Sequence, residues 1–415
     1  MTPRSQGEAE TTPFKPPFAE FIALLALLMS MVALAIDAVL PAMSVIGQDF
    51  SVVHVEDLQW IVGILFAGLA FGQILYGPLS DSFGRKPAIY LGLIIFLMGS
   101  LVSAFAHSYE MMLVGRFIQG IGASGPKVVA VALVRDRYEG RAMARVMSFV
   151  MAVFIIMPAV APSIGAGVLI LADWRGIYEF FVLLSLVALV WFAIRQPETL
   201  AKEHRVKLSF INVWGNIKET MTHRVTLGYI IGAGLIFGAF VAYLSTAQLL
   251  FKEVFQIEKT FPLYFAVLAL SVGVASFLNG RLVMRFGMKL LANRALIVMF
   301  VSSVIFLVLL TLFAGSVSIW LFMLFGAVVF GCIGLLFGNM NALAMEPLGH
   351  IAGVASSVIG SVTTLISMVV GMAFGQTYNG TLYPLFTAFA LLSLLCWLVT
   401  RNIQHEVPLK ADTRE

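Results

Sequence analysis

Gly77-Pro78-Leu79-Ser80-Asp81-Ser82-Phe83-Gly84-Arg85-Lys86 decides how this chain is built, because its pattern occurs twice. Gly280-Arg281-Leu282-Val283-Met284-Arg285-Phe286-Gly287-Met288-Lys289 repeats its Gly, Leu, Phe, Gly and Lys at the same internal spacing. The shift from Gly77 to Gly280 is 203 residues, about half of the 415. Five coincidences in one register, each closing the second apolar segment of its half, point to two parallel repeats. Met284 stands where the first copy has Asp81, so the halves are not equivalent.

The segments around these motifs are apolar. Hydrophobic residues make up 60% of the chain and charged ones only 12%. A soluble domain carries about 25% charged residues, which excludes an ordinary globular protein. Apolar runs of about 20 residues suit a hydrocarbon core of about 30 Å. Twelve such runs occur, at 19–44, 57–79, 87–107, 110–134, 144–170, 175–195, 223–250, 262–283, 289–313, 317–345, 351–376 and 380–400. They predict an all-α membrane protein with twelve transmembrane helices in two pseudo-symmetric six-helix bundles. Cys332 and Cys396 lie inside apolar runs and read as small fillers, not as a disulfide framework. Met1 to Glu20 is polar and Pro-rich, without the layout of a signal peptide, so the first apolar run is expected to be a retained helix.

Lys and Arg in the loops set the orientation. With the N-terminus inside, 21 of the 26 basic residues fall on the inner side. Arg175, Lys252 and Lys259 fall outside, and Arg116 and Lys127 lie within a span. Both termini are therefore expected in the cytoplasm. The +4 net charge does not signal nucleic-acid binding, because the basic residues sit between apolar spans. The expected organisation is a tail over 1–18, a bundle over 19–195, a linker over 196–222, a second bundle over 223–400 and a tail over 401–415. Ser209 to Thr220 in the linker suits a short interfacial helix.

Three charges stand well inside the apolar spans, away from their ends, and each asks for a reason. Asp37 lies about seven residues, roughly 10 Å, from the outer end of the first span. A carboxylate in hydrocarbon costs roughly 2.5–3.5 kcal/mol even on lenient insertion scales, so such groups usually face a cavity and work there. Arg116 lies at similar depth in the fourth span. Lys127 follows Arg116 by eleven residues, three helical turns, on nearly the same face and roughly 16 Å deeper. A buried Lys must find a partner, face water or lose its charge.

The first copy of the repeat resembles the cytoplasmic signature of the major facilitator superfamily. Leu113-x-x-Arg116-x-x-Gln119-Gly120-x-Gly122-Ala123 resembles that superfamily's fourth-helix motif. Finer features look like the Bcr/CflA branch of drug:proton antiporters. They are Asp37-x-x-x-Pro41, Val134-Arg135-Asp136-Arg137, Pro158-x-x-x-Pro162-x-x-Gly165, Asn341-Ala-Leu-Ala-Met-Glu346-Pro347 and Gly353-x-x-Ser356-Ser357.

The resemblance implies that the first and fourth helices adjoin, which would bring Asp37 near Arg116. Asp37 is then the candidate proton carrier. Burial favours the protonated carboxyl and a nearby guanidinium the ionised one, so a switch in their proximity would load and unload a proton. Arg116, Gln119 and Gly120 carry the fourth-helix motif. Pro158, Pro162 and Gly165 carry the fifth, tied in the family to antiport, although the usual Gly-Pro pair reads Ala161-Pro162 here. Gly77, Asp81, Gly84, Arg85 and Arg135 are expected to form a latch, with Asp81 meeting a helix N-terminus and a basic residue such as Arg135. Gly84 suits a positive φ. Gly68-x-x-x-Gly72 and Gly371-x-x-x-Gly375 are candidate sliding surfaces between the halves.

Candidates for the substrate cavity are Lys127, Gln73, Tyr243, Gln248, Asn339 and Asn341; each also suits plain helix packing. Related exporters that accept cations often carry a second acid about two turns inward of Asp37, where this chain has Met29 and Ser30. That loss and the gain of Lys127 favour neutral, zwitterionic or anionic apolar substrates. No phosphate-cradling loop, metal-ligand cluster or nucleophile–His–acid set is legible, so no enzyme, metal or cofactor is expected and the proton gradient would supply the drive. The expected partners are protons, a small-molecule substrate and the lipid bilayer, with the chain a monomer in the cytoplasmic membrane. Export of small apolar compounds by alternating access is favoured. Export of one metabolite or siderophore, and proton-coupled nutrient uptake, remain open.

Overall fold

The computed structural model describes residues 17–138, 140–206 and 210–404. Among the described residues the chain is helical throughout, without a strand. The helices are α1 Phe18–Asp37, α2 Met43–Asp49, α3 Trp60–Phe83, α4 Arg85–Ala104, α5 Tyr109–Arg137, α6 Gly140–Leu171, α7 Arg175–Arg195, α8 Phe210–Thr222, α9 Arg224–Glu253, α10 Phe261–Phe286, α11 Met288–Leu312, α12 Ile319–Met345, α13 Ala352–Gly375 and α14 Tyr383–Gln404. All but α2 and α8 have at least 20 residues, about the 30 Å that a hydrocarbon core demands. Among the described residues eleven stretches are long and apolar enough to span a membrane. One of them, Ile319–Gly375, holds both α12 and α13 around a 3-10 turn at Glu346–Ile351, so twelve helices cross.

The first span is compound. The α-helix ends at Asp37, tightens into a 3-10 turn over Leu40–Ala42 and resumes as α2. Pro41 accounts for the position of this joint. It has no N–H for the carbonyl of Asp37 four residues earlier, and its ring crowds that carbonyl. The acid therefore sits at the end of a regular helix.

The internal repeat is visible in the backbone. Gly84 joins α3 to α4 at φ 110°, ψ 161°, and Gly287 joins α10 to α11 at φ 77°, ψ 155°. A Cβ is strained in this region, which glycine enters freely. The joints lie at the same register of two six-helix bundles, α1 with α3–α7 and α9–α14. Both joints mark one end of the molecule, called here the basic end for the Lys and Arg gathered there.

Close backbone approach builds the first bundle. Gly68 rests on the Phe117 carbonyl and on Gly120, Gly72 on Ser124, and Gly122 on Phe96. Gly68 and Gly72 therefore pack within one bundle, which corrects their expected place between the halves. Gly371 likewise rests on Val241 and the Gly238 carbonyl of its own bundle. Pattern alone marks a close approach without naming the partner.

The halves do meet along the two helices that carry these glycines, with Gly375 facing Gln59 across the boundary, and along a second seam. α3 and α13 run antiparallel from end to end. Gln59 Nε2 donates to the Gly375 carbonyl at 2.6 Å, Ser361 Oγ to the Ala70 carbonyl at 2.6 Å, and Gln73 Nε2 to Thr364 Oγ1 at 3.1 Å. At the basic end Gly77 backs onto Ser357. The second seam joins α6 to α10, with Gly273 seated on Ile155.

α8 occupies the stretch where a short linker helix was expected, apart from Ser209, which lies outside the described residues. Ile211 and Trp214 are exposed on it. Glu219 holds His350 at 2.7 Å, tying α8 to the turn that precedes α13.

Candidate functional site

Asp37 is 3% exposed, and its Oδ1 has no hydrogen-bond partner. Two neighbours define its setting. On one side Gly165 of α6 sits directly on the carbonyl of Ala38, where any side chain would collide. The fifth-helix motif thus abuts the joint that follows the acid. α6 stays one continuous helix across Pro158 and Pro162. On the other side α9 of the opposite half packs against the 3-10 turn that follows the acid, and it carries Tyr243. Its hydroxyl is buried without a partner. Phe265 and Phe330, with ring centroids 5.8 and 4.7 Å away, fix the ring. Gln248, five residues beyond Tyr243, donates to Ser44 Oγ of α2 at 3.0 Å. The joint after Asp37 is thus held between α6 and the second bundle.

Arg116 is fully buried on α5. Its Nε donates to the Ile61 carbonyl at 3.0 Å, Nη2 to the Ala35 carbonyl at 2.9 Å and Nη1 to Gln119 Oε1 at 2.5 Å. Gln119 Nε2 passes the chain on to Ser100 Oγ at 2.9 Å. Gly120 has its missing side chain against the Leu65 carbonyl. α5 does adjoin α1, but the guanidinium caps the last turn of α1 through Ala35 and forms no ion pair with Asp37. The expected depth match brings the two residues to the same level without joining them.

Lys127 stands on the same unbroken helix, three turns further on. It is half-buried and has no hydrogen-bond or ion-pair partner among the described residues. Ser30 is two turns from Asp37 along α1 and is 2% exposed. Its hydroxyl is also unpartnered.

At the basic end, where the latch was expected, Arg85 centres an ion-pair cluster. Arg85 is 3% exposed and pairs with Asp81, four residues earlier, and with Asp136, whose Oδ2 lies 2.8 Å from Nε. Thr199 donates to the same Asp136 oxygen at 2.9 Å. Glu198 accepts from the N–H groups of Arg85 and Lys86 at 3.0 Å each, an anion at the N-terminus of α4. Arg135 is exposed and takes no part among the described residues, a correction to the expected Asp81–Arg135 contact. Asp81 does reach a helix N-terminus across the halves. A Cβ on Gly353, in the first turn of α13, would lie 3.7 Å from its Oδ2. Asp136 and Glu198 were not foreseen, although Asp136 stood in the quoted Arg-Asp-Arg run.

The remaining polar candidates divide. Gln73 is spent on the α3–α13 seam. Asn339 exchanges amide bonds of 2.9 and 3.2 Å with Asn279, joining α12 to α10. Asn341 donates to the Phe337 carbonyl of its own helix at 2.9 Å. An apolar groove of about 400 Å3 runs along α10 from Val267 to Leu278, and none of these residues borders it.

A family model described as Major Facilitator Superfamily matches residues 25–372. A bicyclomycin resistance protein homolog of Haemophilus influenzae is 31% identical over 392 residues, covering 92% of this chain and 97% of that one. Multidrug resistance protein D of Escherichia coli is 26% identical over 398 residues, covering 92% and 96%. In structure the chain is similar to the E. coli xylose transporter XylE in a partially occluded inward open conformation, with TM-score 0.72 and 14% identity over 94% and 98% of the two chains. It is also similar to the human organic anion transporter MFSD10, with TM-score 0.62 and 18% identity over 93% and 100%.

Proposed function

Since the chain belongs to the major facilitator superfamily, we propose that it is a proton-driven antiporter of the Bcr/CflA kind, exporting small apolar compounds across the cytoplasmic membrane by alternating access. Both termini face the cytoplasm, so the basic end is the cytoplasmic one. The bundles are 19–195 and 223–400, joined by the linker 196–222.

The observation that carries this reading is Asp37. It is a buried acid with an unpartnered oxygen, at a helix joint held between α6 and α9 of the opposite bundle. When the bundles rock apart on the outer side, α9 withdraws and water can reach the carboxyl, which takes a proton. Opening on the cytoplasmic side exposes the joint to the other compartment, and the proton leaves. Arg116 biases the exchange without titrating, because a guanidinium stays charged in proteins. A small shift of the joint would trade its bond to Ala35 for one to the Asp37 carboxylate. The Asp81–Arg85–Asp136 cluster, against the first turn of α13, closes the cytoplasmic side. Two curated relatives bear resistance-protein names, which accords with export.

Reconstitution in liposomes tests the assignment. Asp37→Asn should retain exchange of labelled substrate at equal concentration on both sides while losing uptake driven by an imposed pH gradient. Gradient-driven uptake by the mutant would place the carrier elsewhere.

A further inference from the structure

We propose that Lys127 and Ser30 form an anion-recognition subsite, so that the exported compounds carry an acidic group, a carboxylate, sulfonate or phosphate, on an apolar body. This rests on the transport reading above and narrows it to one substrate class.

Three charges lie deep in the apolar spans, Asp37, Arg116 and Lys127. α12 and α13 carry no charged residue at all. Of the two cations, Arg116 is committed to Ala35, Ile61 and Gln119. Lys127 is committed to nothing among the described residues and is half-buried, so it borders space that a small molecule can share. A cation at that depth is costly unless water or an anion meets it, so it marks a working position. With two cations against one acid, the interior stays net positive whether or not Asp37 holds a proton. It repels a cationic ligand and attracts an acidic one.

Ser30 supplies the second, independent observation. It lies seven residues before Asp37, two turns along the same face of α1. Its hydroxyl is buried and unpartnered. α1 and α5 lie antiparallel. Arg116 bonds to Ala35 at one end, and the rings of Phe21 and Tyr138 lie 5.9 Å apart at the other. A helical side chain leans toward its own N-terminus. Lys127 on α5 therefore leans toward the outer end and Ser30 on α1 toward the basic end, which brings their levels together. An ammonium and a free hydroxyl are the donors an acidic group needs.

The test is equilibrium dialysis of the full chain in lipid nanodiscs with naphthalenesulfonate, naphthylmethanol and naphthylmethyltrimethylammonium, which share one apolar body. Wild type should bind the sulfonate best and the ammonium worst. Lys127→Ala should weaken the sulfonate by about tenfold or more and leave the alcohol unchanged, the size of one charge-assisted contact. Lys127→Arg should restore most of the loss, and Ser30→Ala should give a smaller one, about threefold. Equal weakening of all three probes by Lys127→Ala would make the lysine structural and overturn the subsite. So would preferred binding of the ammonium, or binding of none of the probes. Proton coupling is judged separately through Asp37, so the failure of one reading is distinguishable from failure of the other.

Discussion

Arg116 holds the carbonyl of Ala35, two residues short of Asp37, and leaves the acid without an ion-pair partner. The cation anchors the end of the helix that carries the acid. The place of Asp37 is thereby set by Arg116, Pro41 and Gly165, while its Oδ1 takes no hydrogen bond.

Arg116→Ala should therefore cost stability as well as transport. It strips donors from three buried acceptors, Ala35, Ile61 and Gln119. Each loss costs about 1–3 kcal/mol when no water replaces the donor. Thermal unfolding in detergent should show a large drop in midpoint, with Gln119→Ala losing clearly less. An Arg116→Ala protein as stable as wild type would show that the guanidinium is not the staple described.

Glycine at the two joints should respond unequally. Gly84→Ala meets both a positive φ and the Glu198 carboxylate, whereas Gly287→Ala meets the φ alone, with open space around it. The backbone component costs about 1–3 kcal/mol at either site. Unfolding measurements should therefore find Gly84→Ala the more damaging. The reverse order would contradict the asymmetry of the repeats.

Asp81→Ala should slow turnover several-fold without altering the ranking of substrates, since it removes a contact near Gly353 and not a cavity wall. Arg85→Ala should be worse, because it leaves the Asp81 and Asp136 carboxylates without their shared cation. Initial efflux rates for two chemically unrelated substrates check this. A changed substrate ranking in Asp81→Ala would count against a latch.

Cross-linking should arrest the cycle. A Cβ at Gly77 would lie 3.2 Å from that of Ser357, near the roughly 3.5–4.5 Å of a disulfide. With Cys332 and Cys396 replaced, Gly77→Cys with Ser357→Cys should transport when reduced and stop when oxidised. Undiminished transport by the oxidised protein would mean that the α3–α13 seam need not open at its basic end.

Much of the architecture was legible because period and length are strong signals. The repeat at Gly77 and Gly280 anticipated two joints, and Gly84 and Gly287 both adopt positive φ there. Depth along a helix was legible too, and it put Asp37 and Arg116 level. Rotation about the helix axis was not, since neighbouring residues point about 100° apart. Hence Asp136 of the Arg135-Asp136-Arg137 run meets Arg85 while Arg135 does not meet Asp81, and Arg116 finds Ala35 instead of Asp37. Polar residues in apolar spans read alike whether they line a cavity or bond to a neighbouring helix. Gln73 and Asn339 proved to bond across helices, whereas Lys127, Ser30 and Tyr243 kept open donors.

The central claim is that Asp37 carries the proton that drives export. Inside-out membrane vesicles, energised to acidify the lumen, would be given a panel of neutral, anionic and cationic apolar compounds while lumenal pH is read. Wild type and Asp37→Asn would be compared at equal expression. The account predicts compound-induced proton release in wild type and none in the mutant. Equal release from both would contradict it.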